Sequence, residues 1–169
     1  TLPVWVVAAA KAATQALLGQ EFLAMQQVAL LDQKELLIVP VTSAASLVGG
    51  KHAIGITHAD SGIGLDITRG LEVWVCVQFK RKEKSFEREV DSSSNSWLQL
   101  VAGVGVGTNE LSGDICLSGF ARELFKSNLR ALVPRGQLLK VEIVFPSGKE
   151  LAQRTSNKAF GIVDGLALI

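Results

Sequence analysis

The chain has 169 residues, 48% of them apolar and 20% charged, with a formal net charge of +1. That length suits one domain of ordinary size, and the composition excludes a disordered chain, in which low hydrophobicity meets high net charge. A balance so near neutrality gathers no polyanions, which argues against nucleic acid or a membrane surface as principal partner.

From the N-terminus, "VWVVAAAKAATQALLG" predicts an alanine-rich helix, with Pro3 near the start, where its missing N–H costs nothing, and Gly19 as the residue just past the end. Lys11 is its only charge, which predicts burial on most sides against a sheet. Next, "QQVALLDQKELLIVPV" sets two apolar runs about a polar turn from Asp32 to Glu35, the pattern of a β-hairpin with a four-residue connection. Strands are predicted at "HAIGITH", "LEVWVCVQF", "SWLQLVAG" and "LLKVEIVF", each bounded by turn residues. Between Leu117 and Leu132, the spacing of Phe120, Leu124, Phe125, Leu129 and Leu132 predicts a second helix with Ser118 as N-cap. Residues 80–96 and 156–165 read as loops or protrusions, and no internal repeat is found. This order lacks regular βαβα alternation, so the expected fold class is α+β, a mixed β-sheet with helices packed mainly on one face.

Cys76 and Cys116 lie outside any CxxC pair, which signals neither a disulfide framework nor a zinc site, and Cys76, inside a strand, reads as a buried inert thiol. His52 and His58 are the only histidines, and without a cysteine or carboxylate cluster beside them no metal is expected. No secretory signal and no apolar run near the roughly 18 residues of a membrane span is found, so the chain reads as cytoplasmic. It starts at Thr1 without methionine and ends on the apolar "LALI", and is expected to be part of a longer protein.

Three stretches concentrate residues able to do chemistry. "VAGVGVGT" places Gly103, Gly105 and Gly107 at alternate positions, which fits neither the G-x-G-x-x-G dinucleotide fingerprint nor the P-loop pattern. Such glycines serve either a tight backbone or the close approach of a flat ligand or anion. "HADSGIGLDITRG" gathers Asp60, Asp66, Thr68 and Arg69 between two strands, suited to proton transfer or to orienting a cation, or only to holding a turn. "VPRGQ" and "RTSNKAFGIVDGLALI" bring Arg135, Arg154, Thr155 and Asn157, donors for carboxylates or phosphates, or ordinary turn residues with Asn157 as a cap.

Together these stretches resemble one family in order and spacing, the cobalt-precorrin-5B C1-methyltransferases of anaerobic cobalamin biosynthesis, often called CbiD. The likeness rests on "TLPVWVVAAAKAA", similar to the family's small-residue helix; "DSGIGLDITRG", similar to its Asp-Ala-Gly-x-x-x-Asp-Val-Thr-x-Gly loop; "GVGVGT"; "VPR"; and "FPSGKELAQRTSNKAFGIVDGLALI", similar to its Pro-x-Gly-x-x-x-Ala-x-x-Thr-x-Asn segment running into Gly-Ile-x-Gly-Gly. Thr1-Leu2-Pro3 replaces a common Thr-Thr-Gly start, Ile63 and Gly64 replace an acidic pair, and Asp164 stands at the first glycine of the Gly-Gly pair.

The resemblance implies methyl transfer from S-adenosylmethionine to C-1 of cobalt-precorrin-5B, a cobalt-containing tetrapyrrole, giving cobalt-precorrin-6A. It implies that residues 1–169 form the N-terminal domain of a protein with a further C-terminal α/β domain. Asp60 and Asp66 are then the catalytic candidates, taking a proton or steering the sulfonium. Gly62, Thr68, Arg69, Gly70, Gly103, Gly105, Gly107 and Thr108 are expected to face substrate or cofactor, with Arg135, Arg154, Thr155 and Asn157 also binding. A homodimer stays open. The alternatives are a phosphate- or nucleotide-binding enzyme domain and a non-catalytic dimerisation domain.

Overall fold

Small residues decide how the N-terminal segment packs. In the computed structural model, which describes residues 1–31, 34–60, 66–82 and 97–169, helix α1 (Leu2–Leu17) buries Ala8, Ala9, Ala10, Ala12 and Ala13 almost completely. Its C-terminus closes with two hydrogen bonds, Gly19 N–H to the Ala16 carbonyl and Gln20 N–H to that of Gln15, both 3.0 Å, with Gly19 left-handed as expected. Thr14, buried within the helix, donates its hydroxyl to the Ala10 carbonyl at 2.7 Å and so leaves no unpaired donor in the core.

The predicted hairpin forms from β1 (Met25–Ala29) and β2 (Leu36–Pro40), paired antiparallel. Its connection is six residues rather than the expected four, because the Leu30 N–H stands 3.5 Å from the Glu35 carbonyl, too far to extend the ladder well. The Asp32 end of the expected turn lies outside the described residues. Then follow β3 (Ser43–Leu47), β4 (His52–His58), β5 (Glu72–Arg81), β6 (Leu98–Ala102) and two-residue strands β7 (Gly105–Val106) and β8 (Thr108–Asn109). Helix α2 (Gly119–Leu129) begins as expected at Ser118, whose hydroxyl accepts the Ala121 N–H at 3.1 Å. The chain finishes with β9 (Gln137–Val144), α3 (Gly148–Ala152), β10 (Ile162–Val163) and β11 (Gly165–Leu166).

Strand β3 and helix α3 have no counterpart among the predicted elements. "SAASL" is made of small, weakly strand-forming residues at a sheet edge, and a five-residue helix is too short to show a period. Segment 156–165, expected to be a loop, carries a 3₁₀ turn (Asn157–Phe160) and β10, whose pairing with β8 comes from far away in sequence. Of the charged segment 80–96, Lys80 and Arg81 complete β5, and the part from residue 83 onward lies outside the described residues.

The main sheet has the order β3-β4-β5-β9-β6, antiparallel throughout except for the parallel pair β9 and β6. It is the mixed sheet of an α+β fold. Alternation assigns Ala53, Gly55 and Thr57, then Val73, Val75 and Val77, then Leu139, Val141 and Ile143 to one buried face. Helix α1 lies on that face, and α2 packs beside α1, adding Leu124, Phe125 and Leu129 to the same core. A Cβ on Gly55 would overlap the Ala9 carbonyl oxygen and stand 3.3 Å from the Ala13 methyl, so glycine lets the helix backbone rest on the strand. Beside it the Thr57 hydroxyl donates to the Trp5 carbonyl at 3.1 Å.

Polar residues tie the layers. The Asn128 carboxamide accepts the Ala29 N–H at 2.8 Å and donates to the Ala29 carbonyl at 3.0 Å, joining α2 to β1 across 99 residues of sequence. Lys11 donates to the Gln27 carbonyl at 2.6 Å, and its partial burial lowers its pKa. The other sheet face exposes part of Ile54, Ile56, Trp74, Cys76 and Val144. Cys76 therefore is not the fully buried thiol expected from its strand. Val75 and Val77 take the covered side and leave it half-buried opposite Glu142, where burial first and that carboxylate second push the thiol pKa up. No helix among the described residues is long and apolar enough to cross a membrane.

Two substitutions test this packing. Gly55→Val must displace α1 and is expected to cost about 3 kcal/mol of unfolding free energy, the upper range for overpacking. Asn128→Ala strands both backbone groups of Ala29 and is expected to cost about 2 kcal/mol. Urea denaturation of each variant beside the parent measures both.

Candidate functional site

The register fixes which loops meet. His58 pairs with Glu72, Trp74 with Val144, and Ala102 lies beside Ile143, so the C-terminal ends of β4, β6 and β9 and the start of β5 share one end of the sheet. The N-terminal end of α1 points the same way, since Trp5 is bonded to Thr57. Loop 59–71, the glycine stretch 103–107 and segment 145–169 all leave from this end.

In the first of these, Asp66 Oδ1 accepts both the N–H of Thr68 at 2.8 Å and its hydroxyl at 2.7 Å. Gly70 N–H bonds the Ala59 carbonyl at 2.6 Å and Ala59 N–H bonds Leu71 at 2.8 Å, which closes the loop at its base. Asp60, Asp66 and Arg69 are exposed, and Thr68 is half-buried. Gly62 lies outside the described residues, as do Ile63 and Gly64.

The glycine stretch is where chain meets chain. Gly105 has φ +78°, and a Cβ on it would strike the Phe145 carbonyl; Cβ atoms on Gly148 and Gly165 would both strike the carbonyl of Gly105. Gly103 is closed in by the Ile143 carbonyl and Val144, and Gly107 by Ile162 and Gly165. Strand β11 pairs in parallel with β7, so the last residues of the chain lie directly on the glycines. The amides are committed too: Gly103 N–H bonds Ile143, Val106 N–H bonds Gly103, and Gly107 N–H bonds Leu166. Those three N–H groups are therefore not turned toward an anion, and a phosphate nest is not favoured.

Two clefts flank the ribbon of β8 and β10. The larger, about 570 Å³, is lined by Lys149, Ala152, Gln153, Thr155, Asn157, Lys158, Ile162, Val163, Asp164 and Gly165. The smaller, about 420 Å³, is lined by residues of β6 together with Thr108, Asp114, Ile115 and Arg122. Thr108 and Val163, one from each cleft, are register partners. Thr155 turns its hydroxyl inward, donating to the Ala152 carbonyl at 2.7 Å and accepting the Asn157 N–H at 3.3 Å. Thr155 thus does the turn-holding expected of Asn157, whose own side chain makes no hydrogen bond among the described residues.

The site residues read from sequence fall into groups. Thr155 and Asn157 line the larger cleft, Thr108 the smaller, and Gly103, Gly105 and Gly107 build the junction between them. Arg154 is exposed beside the larger cleft without lining it. Asp60, Asp66, Thr68, Arg69 and Gly70 share the same end of the sheet but sit toward β4, about 10–15 Å to the side at ordinary strand spacing. Arg135 is not brought to the site. It occupies a turn whose ends, Pro134 and Gln137, are joined by a hydrogen bond at the opposite end of β9. Among the described residues, no group of three or more His, Cys, Asp or Glu is placed to hold a metal.

The CbiD family model matches residues 1–169. This chain belongs to the CbiD family. It is 57% identical to the cobalt-precorrin-5B C(1)-methyltransferase of Prochlorococcus marinus strain MIT 9303, over the whole of this chain and 44% of that protein. With the protein of that name from Synechococcus sp. strain CC9605 it shares 52% identity over 43% of that relative's length. The chain thus spans less than half the length of these relatives. Among solved structures, the crystal structure of the cobalamin biosynthesis protein CbiD from Archaeoglobus fulgidus matches with a TM-score of 0.62 at 19% identity, covering 99% of this chain and 50% of that one.

Within this CbiD chain, sequence reasoning passed over Lys149 and Lys158, because lysines in a polar segment look like any solvated surface. It singled out Asp164 as the departure from the Gly-Gly pair, and there the backbone is left-handed, with φ +67°. Aspartate tolerates that conformation at a cost that glycine does not pay. Asp164→Gly is expected to raise stability by about 0.5–1 kcal/mol. Gly105→Ala, which must break the junction, is expected to lower it by about 3 kcal/mol or more. Thermal melts of the two variants, whose shifts must run in opposite directions, check this.

Proposed function

We propose that the longer protein to which these residues correspond transfers a methyl group from S-adenosylmethionine to C-1 of cobalt-precorrin-5B, giving cobalt-precorrin-6A in cobalamin biosynthesis. The observation that carries this reading is family membership along all 169 residues, at identities up to 57% to proteins that bear the name of that reaction. Its support from the structure is that the described parts of the family-like motifs, "VPR" apart, lie toward one end of the sheet, where residues of the glycine stretch and of segment 145–169 line two clefts.

S-adenosylmethionine supplies an electrophilic methyl, and the reaction forms a bond to an electron-rich ring carbon as the sulfonium bond breaks. What the protein contributes is alignment and exclusion of water. The smaller cleft is lined by Asp114 and Arg122, a carboxylate and a guanidinium whose charges complement the ammonium and carboxylate at the zwitterionic end of the methyl donor. Thr108 adds a hydroxyl there. The larger cleft, lined by Lys149 and Lys158 together with Ala152, Ile162 and Val163, suits the edge of an acidic macrocycle. Asp60 and Asp66 stand at the same end as acceptors for a proton or partners for the sulfonium charge, with Arg69 and Arg154 available to the ring's carboxylates. The remaining length of the protein, read as an α/β domain, closes the site, and the protein works in the cytoplasm.

The test uses full-length protein with cobalt-precorrin-5B and radiolabelled S-adenosylmethionine, following label into the macrocycle. Transfer is expected with the full-length protein and not with residues 1–169 alone, and absence of transfer by the full-length protein refutes the reading. Asp60→Asn is expected to lower kcat by about 10²-fold or more, the range for loss of a general base, without changing the calorimetric affinity for S-adenosylhomocysteine.

A further inference from the structure

We infer that Lys149 and Lys158, with the carboxamide of Asn157, form a recognition subsite for the carboxylate side chains on one edge of the macrocycle; this rests on the function proposed above and assigns the ring-facing part of that site. Both lysines line the larger cleft. Neither is spent within the described residues, where the ion pair present is Lys126 with Glu123 at 2.8 Å, and neither lysine makes a side-chain hydrogen bond. Asn157 is in the same state: Thr155 holds the turn, and half-buried Asn157 lines the cleft with no side-chain hydrogen bond among the described residues. A partly buried amide facing a cavity gains from a ligand acceptor.

The rest of the lining narrows the ligand. Ala152, Ile162 and Val163 give the cleft an apolar floor, which a free phosphate does not use but the flank of a ring does. The Glu110 N–H bonds the Gly161 carbonyl at 2.9 Å, bringing the turn with Leu111, 97% exposed, against the turn with Phe160, 78% exposed. Two large apolar side chains so open to water beside a cationic cleft suit a broad ligand with an apolar body and an acidic rim. Asp164 lies in the same lining, and two lysines against one aspartate leave the cleft with a net positive charge that favours an acidic ligand.

The experiment uses the full-length protein, with Lys149→Glu/Lys158→Glu as the variant, Lys149→Arg/Lys158→Arg as the conservative one, and Lys51→Glu, at the far end of β4, as the control. The binding probe is uroporphyrin, a macrocycle with eight carboxylates, followed by fluorescence quenching at two salt concentrations. The charge-reversed variant is expected to bind it about tenfold or more weakly and with a flatter salt dependence, while the arginine variant and the control match the parent. In methyl transfer the same variant is expected to raise KM for the cobalt-precorrin with kcat, melting temperature and affinity for S-adenosylhomocysteine unchanged. Equal uroporphyrin affinity in parent and reversed variant overturns the subsite, as does lysine-dependent binding of ATP at comparable affinity. If the parent transfers methyl and the reversed variant keeps its KM, the subsite fails and the function stands. If the parent transfers nothing yet binds uroporphyrin through these lysines, the function fails and the subsite stands.

Discussion

Everything in this molecule hangs on how closely α1 comes to the sheet. Backbone rests on backbone where Gly55 faces Ala9, and five buried alanines keep the helix thin enough to stay there. Had α1 carried leucines, it would ride several ångströms higher, at ordinary interlayer spacing, and Thr57 would not reach the Trp5 carbonyl. Tight seating also sets the position of α2, which packs against α1 and is pinned to β1 through Asn128. One glycine and a row of methyl groups therefore place three layers of structure.

The second constraint is topological. Because β9 runs antiparallel to β5 and parallel to β6, connections far apart in sequence come out at a common end. There the chain packs glycine against glycine, so that residues near 105, 148 and 165 share a volume with no room for a side chain. The clefts lie on either side of this junction, with side chains supplied by its flanks. Rigid support beneath and variable polar groups above is the arrangement in which binding residues sit on loops without losing their geometry.

How far this was legible in sequence differs by element. The long strands and both longer helices were readable, since apolar periodicity and the Ser118 cap are local signals. Strand β3 was not, because its Ser-Ala-Ala-Ser residues have weak strand preference and are held by pairing with β4. The two-residue strands were beyond reach for a related reason: their partners lie tens of residues away, and no local pattern records them. Of the candidate site residues that the structure describes, all but Arg135 lie toward one end of the sheet. What the motifs did not convey was division of labour. Nothing in "RTSNK" tells that the threonine serves its own turn and leaves the asparagine idle, or that Lys149 and Lys158 line the same cleft.

The parallel pairing of β11 with β7, and the bridge from Leu168 to Leu117, bring a timing to the life of this protein. A ribosome releases residues in order, and the layer around the glycines stays unfinished until the residues near 168 have emerged. Up to that moment the apolar positions it covers, Val106 among them, have no lid. The segment from Gly165 to Leu168 is thus the closing piece of this unit, and the glycine junction is completed only when that segment docks.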